Sequence, residues 1–192
     1  MIDYFFNWCR TINNITPVIA NKIYNREYDK SRKSYYNMSS IYSPISFLSY
    51  ANFIIDNIYL GSSYNASNWN LLVDNNILSI VNVTNNIPNF YEDDGLIYLN
   101  IIKNDDGEDI FTYEELEQTY DFINKSNNNV LIHCVFGRSR SATIVLYYLI
   151  KKYNLSCNDA LELLKKKRYY INPSLKFLDN LKKILNNQKN LE

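Results

Sequence analysis

Apolar residues fall into short runs along this chain, and the spacing inside each run predicts an element. Phe53 to Ser62 reads F-I-I-D-N-I-Y-L-G-S, a strand ending in a glycine turn. Ala66, Trp69, Leu72 and Val73 recur at helical spacing and predict a helix over Asn65 to Asn75. Ile77 to Val83 and Ile97 to Ile102 are β-rich runs, separated by a loop with Pro88 and the acidic group Glu92, Asp93 and Asp94. Thr112-x-x-Glu115 is a capping box opening a helix whose Leu116, Tyr120 and Ile123 share a face. Val130-Leu131-Ile132 predicts a short buried strand, and Ala142 to Ile150 is apolar enough for a buried helix. Ser156-x-x-Asp159 reads as a second capping box, with Ala160, Leu161, Leu163 and Leu164 as the inner side and Lys165 to Arg168 as a cationic end suited to the helix dipole. Asn172-Pro173 breaks the chain before a last amphipathic helix carrying Phe177, Leu178, Leu181, Ile184 and Leu185. Strands alternating with helices and then ending in helices predict an α/β fold, a twisted central sheet with helices on both faces.

The first 50 residues differ in pattern. Ile15 to Tyr24 predicts a helix, and Asn25 to Ser43 is polar, with Arg26, Lys30, Arg32 and Lys33 interleaved with tyrosines. That tract reads as a partly disordered extension, with a docking or phosphate-steering arm as the alternative. The expected organisation is an extension over 1–50, a catalytic domain over 51–187 and a polar tail over 188–192. Twenty basic and 20 acidic residues give no net charge, so no basic field points to nucleic acid or an anionic membrane. No run reaches the roughly 18 apolar residues of a membrane span. Asp3 and Arg10 interrupt the apolar start, which makes a poor secretory signal. Cys9, Cys134 and Cys157 are few, odd in number and widely spaced, which suggests a reducing, intracellular and cytoplasmic setting. A lone histidine, His133, argues against a His-rich metal site.

The polar loop between the Val130 strand and the Ala142 helix carries the candidate chemistry. A strand, a tight loop and a helix N-terminus in that order make an anion site, because the first helical N–H groups lack intrahelical partners and the dipole adds positive potential. Cys134 sits at its mouth, where the nucleophilic thiolate is favoured. Arg140, six residues on, offers two phosphate oxygens a bidentate fork. The Ser141 hydroxyl has the reach to return to the Cys134 sulfur. The loop should lie at the C-terminal end of its strand, as in other open α/β sheets. The bland alternative is a core cysteine beside a surface arginine pair.

The string H-C-V-F-G-R-S-R-S-A-T, with His133-Cys134-x5-Arg140-Ser141 inside it, resembles the signature loop of Cys-dependent protein tyrosine phosphatases, most of all the small atypical dual-specificity branch. I-x-D-x-I-Y-L-G-S and I-V-N-V-T-x-x-x-P-N upstream resemble that branch too, so the likeness runs from about Phe53 to Leu185. The resemblance implies hydrolysis of phosphotyrosine and phosphoserine or phosphothreonine in protein substrates through a cysteinyl-phosphate intermediate, with no metal or cofactor. It implies Cys134 as nucleophile and a phosphate cradle of Val135, Phe136, Gly137, Arg138, Ser139 and Arg140. Gly137 lets the loop turn, His133 orients it, and Ser141 assists thiolate departure. A leaving alkoxide or phenoxide needs a proton, and the resemblance puts that acid after the Tyr98 strand, at Asp105 or alternatively Asp106. Arg138, a second loop cation, leaves a phosphoinositide or other lipid phosphate open as substrate. A non-catalytic phosphate-binding module and a Cys-based sulfur carrier are the competing classes.

Overall fold

The computed structural model describes residues 50–104 and 109–189. The expected Ile15–Tyr24 helix, the basic tyrosine-rich tract, Asp105 and Asp106 lie outside the described residues. Five strands form one sheet: β1 (Asn52–Ile55), β2 (Ile58–Ser62), β3 (Ile77–Asn82), β4 (Ile97–Asn100) and β5 (Asn129–Cys134). Their spatial order is β1-β2-β5-β3-β4, with β1 antiparallel to β2 and every other pairing parallel. The central strand, β5, is buried from Val130 to Cys134, which explains its unbroken apolar start. Its side chains alternate between two cores. Val130, Ile132 and Cys134 enter the larger one, and Leu131 enters the smaller one with Ala66, Leu72, Ile77 and Ile80.

The smaller core is covered by α1 (Ser63–Ala66) and α2 (Trp69–Asp74). The larger is covered by α3 (Tyr113–Lys125), α4 (Arg140–Tyr153), α5 (Cys157–Lys167) and α6 (Leu175–Lys189). Helices therefore flank both sheet faces, as the alternating pattern predicts. The α4 helix is the pillar: every residue from Arg140 to Leu149 is buried. It ends on Asn154 in the left-handed region, with Lys151 and Lys152 in its last turn. None of the described helices is long and apolar enough to cross a membrane.

Several local expectations are corrected. Phe53 to Ser62 is not one strand but a hairpin, because Asp56 takes φ 51° and turns the chain at Asp56-Asn57. Gly61 lies inside β2 and not in a turn. Asn65 to Asn75 is not one helix. Ser62 caps α1 in a reciprocal box with Asn65, and the Asn68 side chain caps α2 by accepting from Leu71 N at 3.2 Å, so a new helix starts after Ser67. The Thr112–Glu115 box is complete. The Ser156 box is only half formed: Ser156 Oγ accepts from Asp159 N, but the Asp159 carboxylate bonds that same hydroxyl. On α5, Ala160 and Leu164 are buried while Leu161 and Leu163 are half-buried. The last helix runs through Lys189, beyond the expected start of the tail.

Candidate active site

The sheet delivers Cys134 at the C-terminal end of its central strand, and residues 135–139 form the loop into α4. Gly137 makes the loop possible. It takes φ 67°, and a Cβ there would lie 2.3 Å from Gly61 O. Each carbonyl of the loop is held on its outer side. Val135 O accepts from Ser63 N at 3.1 Å and Ser63 Oγ at 3.2 Å. Phe136 O and Gly137 O accept from Arg168, at 3.4 and 3.0 Å. Arg138 O accepts from Asn172 N, and Ser139 O from Thr143 N, both at 2.9 Å. A trans peptide group points its N–H opposite to its C=O, so outward carbonyls turn the intervening N–H groups inward.

The inward groups meet the sulfur. Gly137 N–H and the Ser141 hydroxyl each donate to Cys134 Sγ at 3.3 Å. Burial pushes the Cys134 thiol up, yet the Ser141 hydroxyl and backbone N–H, the Arg140 charge and the Arg138 N–H together hold it below its ordinary value. Arg140 is buried, and its Nη1 donates to Lys103 O at 2.9 Å, which ties the loop to the chain leaving β4. Lys103 is itself buried, with Nζ 2.8 Å from Glu115 Oε1 and 3.2 Å from Asp109 Oδ1. Burial alone would lower its pKa, but those two carboxylates raise it. Asp109 also accepts from Asn104 N at 3.2 Å, so both flanks of residues 105–108 are pinned.

His133 is wholly buried. Its Nδ1 lies 3.3 Å from Cys134 O, while burial, offset in part by that contact, and the nearby Arg140 charge lower its pKa to about 4. It is neutral near pH 7 and does not supply a charge. Arg138 is exposed and donates from Nε to Tyr170 O at 3.1 Å. An open cleft of about 380 Å³ lies over the sulfur, lined by Cys134, Phe136, Arg138, Ser139, Asn172 and Ser174.

Of the expected residues, Gly137, Arg138, Arg140 and Ser141 surround the Cys134 sulfur, Phe136 and Ser139 line the cleft above it, His133 and Val135 lie beside it in the chain, and Asp105 and Asp106 lie outside the described residues. Sequence reasoning missed three supports: Ser63, Asn172 and Arg168. Arg168 is not a solvated helix end. It is 1% exposed, with its guanidinium 4.5 Å over the Tyr170 ring.

Residues 58–187 match the family model described as dual specificity phosphatase, catalytic domain. The chain is 37% identical over 131 residues to human dual specificity protein phosphatase 9, covering 67% of this chain and 34% of that protein. It therefore spans about a third of the length of that curated relative. The crystal structure of a variant of human DUSP28 superposes with a TM-score of 0.67 at 24% identity, covering 74% of this chain and 98% of that one, a likeness of fold. A leucine rich repeat and phosphatase domain containing protein from Entamoeba histolytica superposes with a TM-score of 0.64 at 25% identity, covering 74% and 94%. By that family match and this architecture, the chain belongs to the dual specificity phosphatase catalytic domain family.

Proposed function

We propose that the protein is a phosphatase that hydrolyses phosphotyrosine and phosphoserine or phosphothreonine in proteins through a cysteinyl-phosphate intermediate. One observation carries the reading: a buried sulfur, its thiol pKa held below the ordinary value, at the floor of an open cleft and facing inward N–H groups of the loop into α4. In the first step the Cys134 thiolate attacks phosphorus in line, an S–P bond forms and the ester O–P bond breaks. The Val135–Arg140 N–H groups and the Arg140 guanidinium stabilise the three equatorial oxygens. The departing oxygen takes a proton from Asp105, with Asp106 as the alternative donor. Asp105 follows Lys103 by two residues in the sequence, and the Lys103 carbonyl accepts from Arg140. In the second step water attacks phosphorus and gives a proton to the carboxylate left at Asp105, or at Asp106 as the alternative; the S–P bond breaks, and the Ser141 hydroxyl stabilises the leaving thiolate. His133 holds the strand end and stays neutral.

The test is phosphate release in the presence of a metal chelator by wild type, Cys134→Ser and Asp105→Asn. Phosphotyrosine peptide, phosphothreonine peptide and phosphoinositide serve as substrates. Peptide turnover abolished in Cys134→Ser and strongly reduced in Asp105→Asn is expected. Turnover of the phosphoinositide alone would overturn the protein-substrate reading and shift attention to Arg138. Peptide binding without turnover would make the site a binding module.

A further inference from the structure

The Phe136–Gly137 and Gly137–Arg138 peptide groups each have two ends with different jobs. Their N–H ends, on Gly137 and Arg138, are directed at the Cys134 sulfur. Their C=O ends, on Phe136 and Gly137, both receive hydrogen bonds from one side chain, Arg168, which lies 31 residues beyond Gly137. The same guanidinium is aimed from its far side: Nη1 donates to Tyr50 O at 2.9 Å and to Asn52 Oδ1 at 2.5 Å. Tyr170 covers one face of it. Four contacts on a planar fork leave it little freedom to turn.

We propose that Arg168 is a positioning residue for the Cys134 nucleophile, acting through two shared peptide groups whose N–H ends it keeps turned toward the sulfur. A cation on a carbonyl polarises the whole peptide group, so the N–H at its other end becomes a stronger donor. The guanidinium therefore fixes the two peptide planes and strengthens both donors without touching sulfur or substrate. A carbonyl left without this partner would be a buried orphan, and the peptide plane would be free to rotate its N–H out of the site. Burial lowers the Arg168 pKa, and the neighbouring Tyr170 and Cys134 offset part of that. Lysine is a poor substitute, because a single ammonium cannot present Nε and Nη donors in the fixed fork that spans two carbonyls.

This inference rests on the reading of Cys134 as the reactive group, and its test reads the thiolate without needing turnover. The full chain and its Arg168→Met and Arg168→Lys variants are alkylated with iodoacetamide across the acid-to-neutral range. The Cys134 peptide is followed by mass spectrometry, so that other cysteines do not contribute. Turnover of p-nitrophenyl phosphate is measured in parallel. Arg168→Met is expected to move the alkylation midpoint to higher pH and to lower kcat/KM by on the order of tenfold, with Arg168→Lys between it and wild type. A folded Arg168→Met with the wild-type midpoint would overturn the proposal and reduce Arg168 to a structural brace. If Arg168→Met does not fold, Asn52→Ala loosens the far anchor of the guanidinium instead. A smaller upward move is then expected, and an unmoved midpoint overturns the proposal equally. Absence of wild-type turnover would count against the phosphatase reading alone, since the midpoint comparison stands without it.

Discussion

Gly137→Ala is the substitution whose cost the structure lets one work out most directly. At φ 67° an L-residue with a Cβ is strained by roughly 1–2 kcal/mol. The added methyl would lie 2.3 Å from Gly61 O and 2.6 Å from Gly61 C, both backbone atoms of β2, and 2.7 Å from Arg168 Nη2. Backbone cannot swing aside as a side chain does, so the phosphate loop must lift from β2, an overpacking cost of roughly 1–3 kcal/mol. Lower backbone entropy in the unfolded chain returns about 0.4–1 kcal/mol. The net loss is about 1–5 kcal/mol, a sizeable share of the roughly 5–15 kcal/mol that holds a typical domain together. Urea unfolding followed by circular dichroism would show a lower midpoint at unchanged slope. Lifting the loop also moves Gly137 N–H from the sulfur, so turnover should fall in the fraction that remains folded. Gly61→Ala is the control. Its nearest neighbours are the side chains of Asn65 and Leu131, at 2.8 and 2.9 Å, which can shift, so it should cost less. A Gly137→Ala protein within about 0.5 kcal/mol of wild type, with unchanged turnover, would refute this account of the loop.

Three further outcomes follow from particular contacts. Ser141→Ala removes the hydroxyl 3.3 Å from the sulfur, so the pH midpoint for Cys134 alkylation should rise and phospho-enzyme should accumulate; an unmoved midpoint would remove Ser141 from the thiolate's environment. For Asp56, burial raises the carboxyl pKa, but Tyr153, Lys152 and Tyr148 outweigh it and hold the pKa below its ordinary value. Its stabilising contribution is then present above the ordinary carboxylate pKa and lost as pH falls through the lowered folded value. Asp56→Asn, which tolerates the same left-handed backbone, should lower the urea midpoint at neutral pH and flatten its acid limb, whereas parallel limbs would contradict the linkage. Thr112→Ala deletes the side-chain half of the α3 capping box and should cost about 1 kcal/mol by urea unfolding; no measurable change would mean that the cap is replaced by water.

The parts of the fold legible in the sequence were those whose cause is local. The Val130 strand, the apolar α4 and the Thr112 box are each visible within a dozen residues, because burial on both faces and cap chemistry leave a short-range pattern. The Cys134-to-Ser141 cluster is legible for the same reason: a strand, a loop and a helix N-terminus are consecutive in the chain. The hairpin at Asp56-Asn57 was hidden because Ile54, Ile55 and Ile58 continue the apolar run across it. What turns the chain is the left-handed Asp56, whose carboxylate is held by groups 92 and 97 residues away. The split between α1 and α2 was hidden because Asn68 keeps helical spacing on either side while its side chain restarts the helix. The role of Arg168 is hidden for a deeper reason. A basic residue at a helix C-terminus is sufficiently explained by the dipole, and nothing near it in sequence reveals carbonyls 31 and 32 residues upstream that need a donor.

The measurement that bears most directly on the central claim is the identity of the phosphorylated residue. Wild type and Cys134→Ser are mixed with phosphotyrosine peptide, quenched rapidly, digested and examined by mass spectrometry. One phosphoryl group is expected on the Cys134 peptide of wild type, lost as free phosphate appears, with neither adduct nor phosphate release from Cys134→Ser. Phosphate release that persists in Cys134→Ser, or a phosphoryl group found on another residue, would contradict it.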